Sequence, residues 1–570
     1  MPDTNVRPVV VFLLLMLAVS FSNPLHLYPL PNYIEELLSA LAVMGATAAM
    51  LWRVQVLRFS VCSFIWLGLG ILFLFSAFFH PAAFQAGKAA YLIYWLMGWM
   101  TILIGDQVDW DNGATVDLIA RIFLWCALVG VIVGGLRYLD LLGAASAFIP
   151  NVASPRMVGL IGHANYFAYL CLLGFFCGAW VWHREKVATP WFVIVGLLMV
   201  TGLLLSGARS ALVAWAGLVV VLWLRDRQVS RYRLALTAGL VAVLFMMPFM
   251  GSIAAWLSQF GGAGLEDGRL SGIGPRGFGS TGRVLEWRIA LAVWGDHPWF
   301  GVGVGNYAAE AYAEHLRQGV ASPPGLFVHS HNSILQLAVE LGVLGLLWCV
   351  SVVAALCFFG WRALQFEVKQ LPVSILFVFV VYSLFEFPLW IMHFLVLNLL
   401  LVGCLSSSVV FLNLKLGKIF SFLFGTVLLM GVVAYIPLVE RFYWSYRQYL
   451  VRAPVDANEY SFMNSMIRDP LMEPAGYMIY FANFQLSPKS LQQERDVLER
   501  FQRFLPYAPL MARLACVQAA MGDIEQAKKT ARDARIYYGV LADQHMEAVV
   551  VEAARVFPYI DFSVLFMKQG

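Results

Sequence analysis

The chain has 570 residues, of which 61% are apolar, 15% aromatic and only 13% charged, with a net charge of +4. A soluble domain is about half apolar and about a quarter charged, so a disordered chain, a fibre and a water-soluble enzyme are excluded. What fits is a polytopic membrane protein whose partner is the lipid bilayer, with no basic run suited to nucleic acid.

Apolar stretches long enough to span, about 17 to 25 residues, fall at 8–22, 34–51, 60–79, 89–105, 117–136, 163–182, 190–206, 209–224, 233–250, 333–359, 372–388, 390–411 and 419–438. The expected fold class is therefore an all-α polytopic membrane protein with about thirteen (12–14) transmembrane helices. Arg7, with Ala18 and Ser20 near the end of the first stretch, makes a cleaved signal the alternative to a retained span.

With the N-terminus cytoplasmic, lysine and arginine collect on the inner loops. These carry Arg53 and Arg58, Arg184 and Lys186, Arg225, Arg227, Arg231 and Arg233, Arg362 and Lys369, and Lys415 and Lys418. The inner loop from Asp106 to Asp117 has none and dissents. On this orientation the chain divides into helices over 1–250, a large outer loop over 251–331, more helices over 332–438 and an outer domain over 439–570. From Glu440 onward fifteen Lys/Arg and fifteen Asp/Glu fall in 131 residues, a soluble composition. There, Leu510–Met521 and Ile524–Tyr538 flank Gly522-Asp523, with alanines at 515, 519, 527, 531 and 534. That predicts a close-packed helical hairpin, tetratricopeptide-type or simply helical. Of eight cysteines, seven sit in apolar stretches and none forms a CxxC, so neither disulfides nor zinc is expected.

Three constellations carry chemistry. Phe327-Val-His-Ser-His-Asn opens the helix after the outer loop, and Asn332, Gln336 and Glu340 fall at i, i+4, i+8. That spacing makes a polar stripe that must face a wet cavity or partner groups, with His329 and His331 at the mouth of such a cavity and helix–helix glue as the alternative; a histidine there can take a proton from a hydroxyl. Arginines near the outer face form the second group: Arg156 and Arg209 beside apolar segments, and Arg269, Arg276, Arg283, Arg288 and Arg317 in an outer loop without lysine. Guanidinium forks suit a diphosphate. The third is Glu386-Phe-Pro-Leu-Trp390 in a tight outer turn, where a carboxylate can orient a histidine or hold an arginine. Phe300-Gly-Val-Gly-Val-Gly-Asn306 lacks the strand–helix context of a nucleotide loop and reads as a glycine turn.

His331-Asn332 followed by Gly342-x-x-Gly345 resembles the signature of the bacterial O-antigen ligase and O-oligosaccharyltransferase superfamily. Arg156 before Gly162-x-x-Asn165, Ser206-Gly-Ala-Arg209, Gly282-Arg283 to Arg288, Asp296-His-Pro-Trp-Phe-Gly301 and Glu386-Phe-Pro-Leu-Trp390 follow the same order. His-Ser-His-Asn-x-x-Leu-Gln with a soluble tail looks most like the protein-glycosylating, pilin-type members. The resemblance implies transfer of an oligosaccharide from undecaprenyl diphosphate to a Ser or Thr hydroxyl of a periplasmic acceptor, at the inner membrane, without metal or nucleotide cofactor. It makes His331 the base, gives the diphosphate to Arg156 and Arg209, and gives orienting roles to Asn165, Asn332 and Glu386. Relatives carry Gln at the position of His163 and tyrosines at Ile391 and His393, so sugar or acceptor contacts at His163 and His393 are this chain's own. Lipid A-core ligation, glycan polymerisation and polysaccharide or lipid transport are the competing readings; no internal repeat of a transporter is visible.

Overall fold

The structure, a computed structural model, describes residues 6–25, 33–149, 154, 156–185, 187–225, 229–250, 252–253, 282–322, 325–405, 408–414, 418–450, 457–483 and 486–566. Arg269, Arg276, Lys186, Arg227 and Lys415 lie outside the described residues, as does most of the first part of the outer loop.

A helix forms at every apolar stretch. These are α1 Arg7–Phe21, α2 Tyr33–Arg53, α3 Val61–Phe79, α4 Gln85–Asp106, α5 Ala114–Tyr138, α6 Ala164–Glu185, α7 Thr189–Ser206, α8 Arg209–Arg225 and α9 Arg231–Met246. The segment after α9 adds α10 Gly282–Asp296 and α11 Tyr307–Gln318, followed by α12 Ser333–Ala363, α13 Gln370–Tyr382, α14 Met392–Val402 and α15 Lys418–Val433. Among the described residues nine helices are long and apolar enough to cross a membrane, fewer than the thirteen expected. The shortfall is sharpest at 390–411. There α14 has 11 residues, and Ser408–Asn413 becomes a strand, β2, antiparallel to β1 at Val56–Ser60. Val409, Val410 and Phe411 are β-branched or aromatic and favour that extended pairing.

Two compact bodies are described separately. The first comprises Met1–Leu67, Leu96–Gly279 and Ser351–Glu440. α6 is buried throughout its apolar length, with Phe167, Tyr169, Phe176 and Trp180 fully enclosed. α1 packs against α2 and α5 with Leu13, Leu14, Leu17 and Phe21 at 0% exposure. The dissenting loop is explained here: Asp111 pairs with Lys369 at 3.1 Å and Asp117 with Arg184 at 3.6 Å. Its carboxylates take partners from neighbouring basic loops, and Trp180 Nε1 also donates to Asp117 at 2.9 Å.

The second body comprises Gly68–Trp95, Ser280–Val350 and Arg441–Gly570. Its tail is helical: α16 Ile436–Leu450, α17 Ala457–Arg468, α18 Glu473–Asn483, α19 Leu491–Gln502, α20 Ala508–Ala520, α21 Ile524–Tyr538 and α22 Val540–Val556. The expected hairpin is α20–α21, turned at Gly522 (φ 84°), with the five alanines at most 1% exposed. Inside the tail Arg513 pairs with Glu494 at 2.8 Å and donates to the Phe481 carbonyl at 3.1 Å.

The remainder of this body is organised around a break in α12. Gly342 has φ 66° and ψ −151°, a conformation essentially restricted to glycine. The backbone groups released there are taken up by the turn after α10. Val302 N–H donates to Val339 O at 2.9 Å, Gly303 N–H to Glu340 O at 3.0 Å, and Val343 N–H to Pro298 O at 2.8 Å. The glycine turn is therefore a seam along a broken helix. A Cβ on Gly342 would collide with the Trp299 carbonyl, and one on Gly301 with the Glu340 backbone. Gly342→Ala is expected to cost roughly 2–5 kcal/mol, from forbidden backbone plus collision. Gly319→Ala, at φ 66° in open space, should cost only about 1–2 kcal/mol. Thermal melting of the two variants in detergent checks the contrast.

Candidate active site

In the first body the site begins with the loop 156–163, which is tied down before α6 starts. Arg137, at the end of α5, donates through Nη1 to Gly159 O at 2.9 Å, and Met157 N–H donates to Leu205 O at 3.1 Å. This fixes Arg156, whose Nε donates to Ser206 O at 2.5 Å and whose Nη2 donates to Asn165 Oδ1 at 2.6 Å. Asn165 then donates through Nδ2 to Glu386 Oε1. Glu386 is fully buried, and a buried carboxylate needs charged or polar compensation. Asn165 relays it: its carbonyl takes the guanidinium and its amide serves the carboxylate. Arg209 starts α8 three residues beyond Ser206, after Gly207 in the left-handed region (φ 61°). Arg156, Asn165, Arg209 and Glu386 thus gather around the α7–α8 turn, as their spacing alone did not reveal.

His163 lies half-buried beside them, its ring 4.5 Å from that of Tyr166, which meets Phe387 edge-on at 5.7 Å. His393 reaches the same aromatic group through Phe394, whose ring is 5.2 Å from that of Tyr166. It is 3% exposed and packs against Phe21 at 4.6 Å and Phe394 at 4.7 Å, within an aromatic cluster.

In the second body the histidine loop precedes α12. His331 has φ 55°, one of two described non-glycine residues in the left-handed region, where a side chain costs free energy that the surroundings must offset. Its N–H donates to His329 Nδ1 at 2.8 Å. His329 is buried, and burial, with His331 adding to it, holds its pKa well below the usual histidine range. It therefore stays neutral and keeps Nδ1 free to accept. The polar stripe serves this loop. Asn332 Oδ1 accepts from Ile334 and Leu335 N–H, both at 3.1 Å, and caps α12. Gln336, 1% exposed, accepts from Ser330 N–H at 2.9 Å and donates to Glu340 Oε1 at 3.0 Å. Glu340, equally buried, also accepts from Gly305 N–H at 3.1 Å. Both are braces between the histidine loop, the helix and the glycine turn.

On α10, Arg283 is half-buried and Arg288 exposed. Arg317 is an ion-paired surface residue, 3.0 Å from Asp296 and 2.5 Å from Glu314. Between the two α10 arginines sits Glu286, which sequence reading missed: fully buried, it accepts from Tyr307 Oη at 2.6 Å and lies 3.3 Å from His315 Nε2. Tyr537 was missed too. Its hydroxyl accepts from Phe327 N–H at 3.3 Å and its carbonyl from Ser322 N–H at 2.7 Å. The Phe327 ring stands edge-on to His331 at 5.5 Å, so a tail helix braces the histidine loop. Burial pushes the Tyr537 phenol up to about 12, keeping it neutral. No periodicity marks these positions, because each contact joins segments far apart in the chain. Among the described residues no group of three His, Cys, Asp or Glu is placed to hold a metal.

Residues 194–350 match the family model described as O-antigen ligase. Residues 370–553 match the model described as virulence factor membrane-bound polymerase, C-terminal. Together these matches support the O-antigen ligase superfamily, whose members are glycosyl-transferring ligases and polymerases in membranes. No curated protein matches the chain.

Two outcomes follow from the geometry. Asn165→Leu should strand the buried Glu386 and cost about 1–3 kcal/mol or more, read as a lower melting midpoint, with Glu386→Gln in the same background recovering part of it. Because His329 is held neutral when folded but binds a proton when unfolded, stability should fall as pH drops below about 6.5. A pH series of melting midpoints checks this, and His329→Gln should flatten the slope.

Proposed function

We propose that this membrane protein transfers an oligosaccharide en bloc from undecaprenyl diphosphate to a Ser or Thr hydroxyl of a pilin-like periplasmic protein, at the outer face of the inner membrane. The observation that carries this reading is His331: a half-buried imidazole in a left-handed conformation, braced by His329 and by the capped start of α12. Strained residues held this firmly concentrate at functional positions.

In this mechanism the His331 imidazole takes the proton of the acceptor hydroxyl as its oxygen attacks the anomeric carbon. The bond from that carbon to the diphosphate oxygen breaks, and undecaprenyl diphosphate leaves with the electron pair. A diphosphate is already a good leaving group, so the demand is for charge stabilisation and orientation. Arg156 and Arg209 supply the guanidinium charge, with Asn165 and Glu386 fixing the angle of Arg156. His163 and Tyr166, beside this cluster, offer a surface for the first sugar. Arg283 and Arg288 are secondary contacts for the glycan or acceptor. The soluble helical tail suits docking a protein acceptor. The polymerase match over 370–553 favours a second reading, in which the acceptor is another glycan; transfer to lipid A-core is the third member of the same donor chemistry.

Purified full-length protein reconstituted with undecaprenyl-diphosphate oligosaccharide, and offered a pilin-like protein and lipid A-core in parallel, should glycosylate the protein. His331→Ala should lower transfer by about 10²–10⁴-fold while melting like the parent. Near-parental transfer by that variant would sink the role given to His331, and glycan appearing only on lipid A-core would shift the acceptor.

A further inference from the structure

A polar cavity of about 1270 Å³ opens at the opposite end of the first body from Arg156. It is lined by residues at the start of α5, while Arg137 at the other end of α5 holds the Arg156 loop. The 25 residues between make a helix of about 37 Å, so the two places are a membrane thickness apart. On the proposed orientation this cavity faces the cytoplasm.

Four cations line it: Arg7, Arg58, Arg362 and Lys369. Three carboxylates line it as well, and each is already engaged. Asp111 pairs with Lys369 at 3.1 Å. Asp106 accepts from Ser60 N–H at 2.8 Å and Ser63 Oγ at 2.5 Å. Asp109 accepts from Asp111 N–H and Asn112 Nδ2, both at 3.1 Å. Gln107 is locked on both sides to the backbone of Arg58, which fixes where that residue leaves β1. Among the described residues no carboxylate pairs with the Arg58 or Arg362 guanidinium; Arg362 only leans on Phe358, 5.4 Å from its ring centre.

The rest of the lining mixes polar side chains (Asn112, Thr115, Gln365 and Ser408) with apolar ones, among them Val10 of α1 and Phe359 of α12. Val409 joins it from β2, whose Val409, Val410, Phe411 and Leu412 are 45–55% exposed. Two guanidiniums with no carboxylate in ion-pair contact, beside apolar side chains, form an amphipathic receptor. Guanidinium forks favour phosphoryl oxygens, and basic pockets between helices on the cytoplasmic side take anionic headgroups.

We propose that this cavity binds a phosphoryl group through Arg58 and Arg362, supplied by an anionic glycerophospholipid whose acyl chains lie along the apolar side chains and β2. The site is separate from the transfer reaction proposed above, and neither depends on the other.

Native mass spectrometry of the full-length protein in a zwitterionic detergent tests it, with phosphatidylglycerol, phosphatidylcholine or glycerol 3-phosphate added. Phosphatidylglycerol should be retained over phosphatidylcholine, and the Arg58→Gln/Arg362→Gln double variant should lose roughly tenfold or more of that preference. Arg58→Lys/Arg362→Lys should keep most of it. Displacement of phosphatidylglycerol by glycerol 3-phosphate would support the phosphoryl site and assign it to a soluble phosphate. Equal retention of the two lipids by the parent protein overturns the proposal whether or not the variants fold. So does an unchanged preference in a folded double variant.

Discussion

In a hydrocarbon environment a backbone N–H or C=O has no water to turn to, so a membrane helix breaks only where protein supplies the missing partners. The break at Gly342 is the point on which the second body depends. It releases the carbonyls of Val339 and Glu340 and the N–H of Val343, and the turn 298–303 takes all three. That seam brings α10 and α11 onto α12, where Ile289, Val293, Val302, Tyr307 and Val339 form one apolar cluster. With the seam in place, Glu340 reaches Gly305, Gln336 reaches Ser330, and the histidine loop has a floor. His331 can occupy a left-handed conformation because everything beneath it is already fixed.

The same economy governs charge. In a chain this poor in charge, each ionisable group near the bilayer needs a reason to be there. The acidic loop from Asp106 to Asp117 finds it in Lys369 and Arg184, so the loop lacking cations is bound to those that have them. Glu386 finds it in Asn165, and through Asn165 in Arg156. The relay leaves a guanidinium fixed in direction yet separated from its carboxylate by a neutral amide. Direct contact would lock the two charges together and leave less of the arginine's field for an incoming anion. Placing an amide between them gives one oxygen of the buried acid a donor and keeps the arginine electrostatically available.

Legibility from sequence followed the range of the interactions. The helices were readable because apolar length is local. So were the α20–α21 hairpin, where alanine spacing and Gly522 act within one turn, and the glycine turn at 300–306. The span at 390–411 misled because hydropathy does not distinguish a helix from the strand pairing of Val409–Phe411 with β1, 350 residues earlier in the chain. The polar stripe left two outcomes open. Asn332, Gln336 and Glu340 do share a face, but whether a polar face meets water or backbone depends on what packs against it. Here the partner is a glycine turn that also fills the backbone groups released by the helix break. Glu286, His315 and Tyr537 carry no local signature because each draws its meaning from a contact with another segment.

His329 shows how such contacts change the role of a residue. Read alone, His-x-His suggests two equivalent imidazoles. Burial separates them: His329 is enclosed and kept neutral, so its Nδ1 can only accept, and it accepts the N–H of His331. That hydrogen bond goes with the left-handed turn at His331, and the two imidazoles stand edge-on with ring centres 6.3 Å apart. One histidine is spent as a fixed acceptor so that the other is held in a conformation it would not adopt unaided. The tail contributes to the same end, since Tyr537 grips the backbone on both sides of Gly325 and sets the ring of Phe327 against His331. The helical tail and a broken helix therefore converge on a single loop, and the cost of its strained residue is distributed over both.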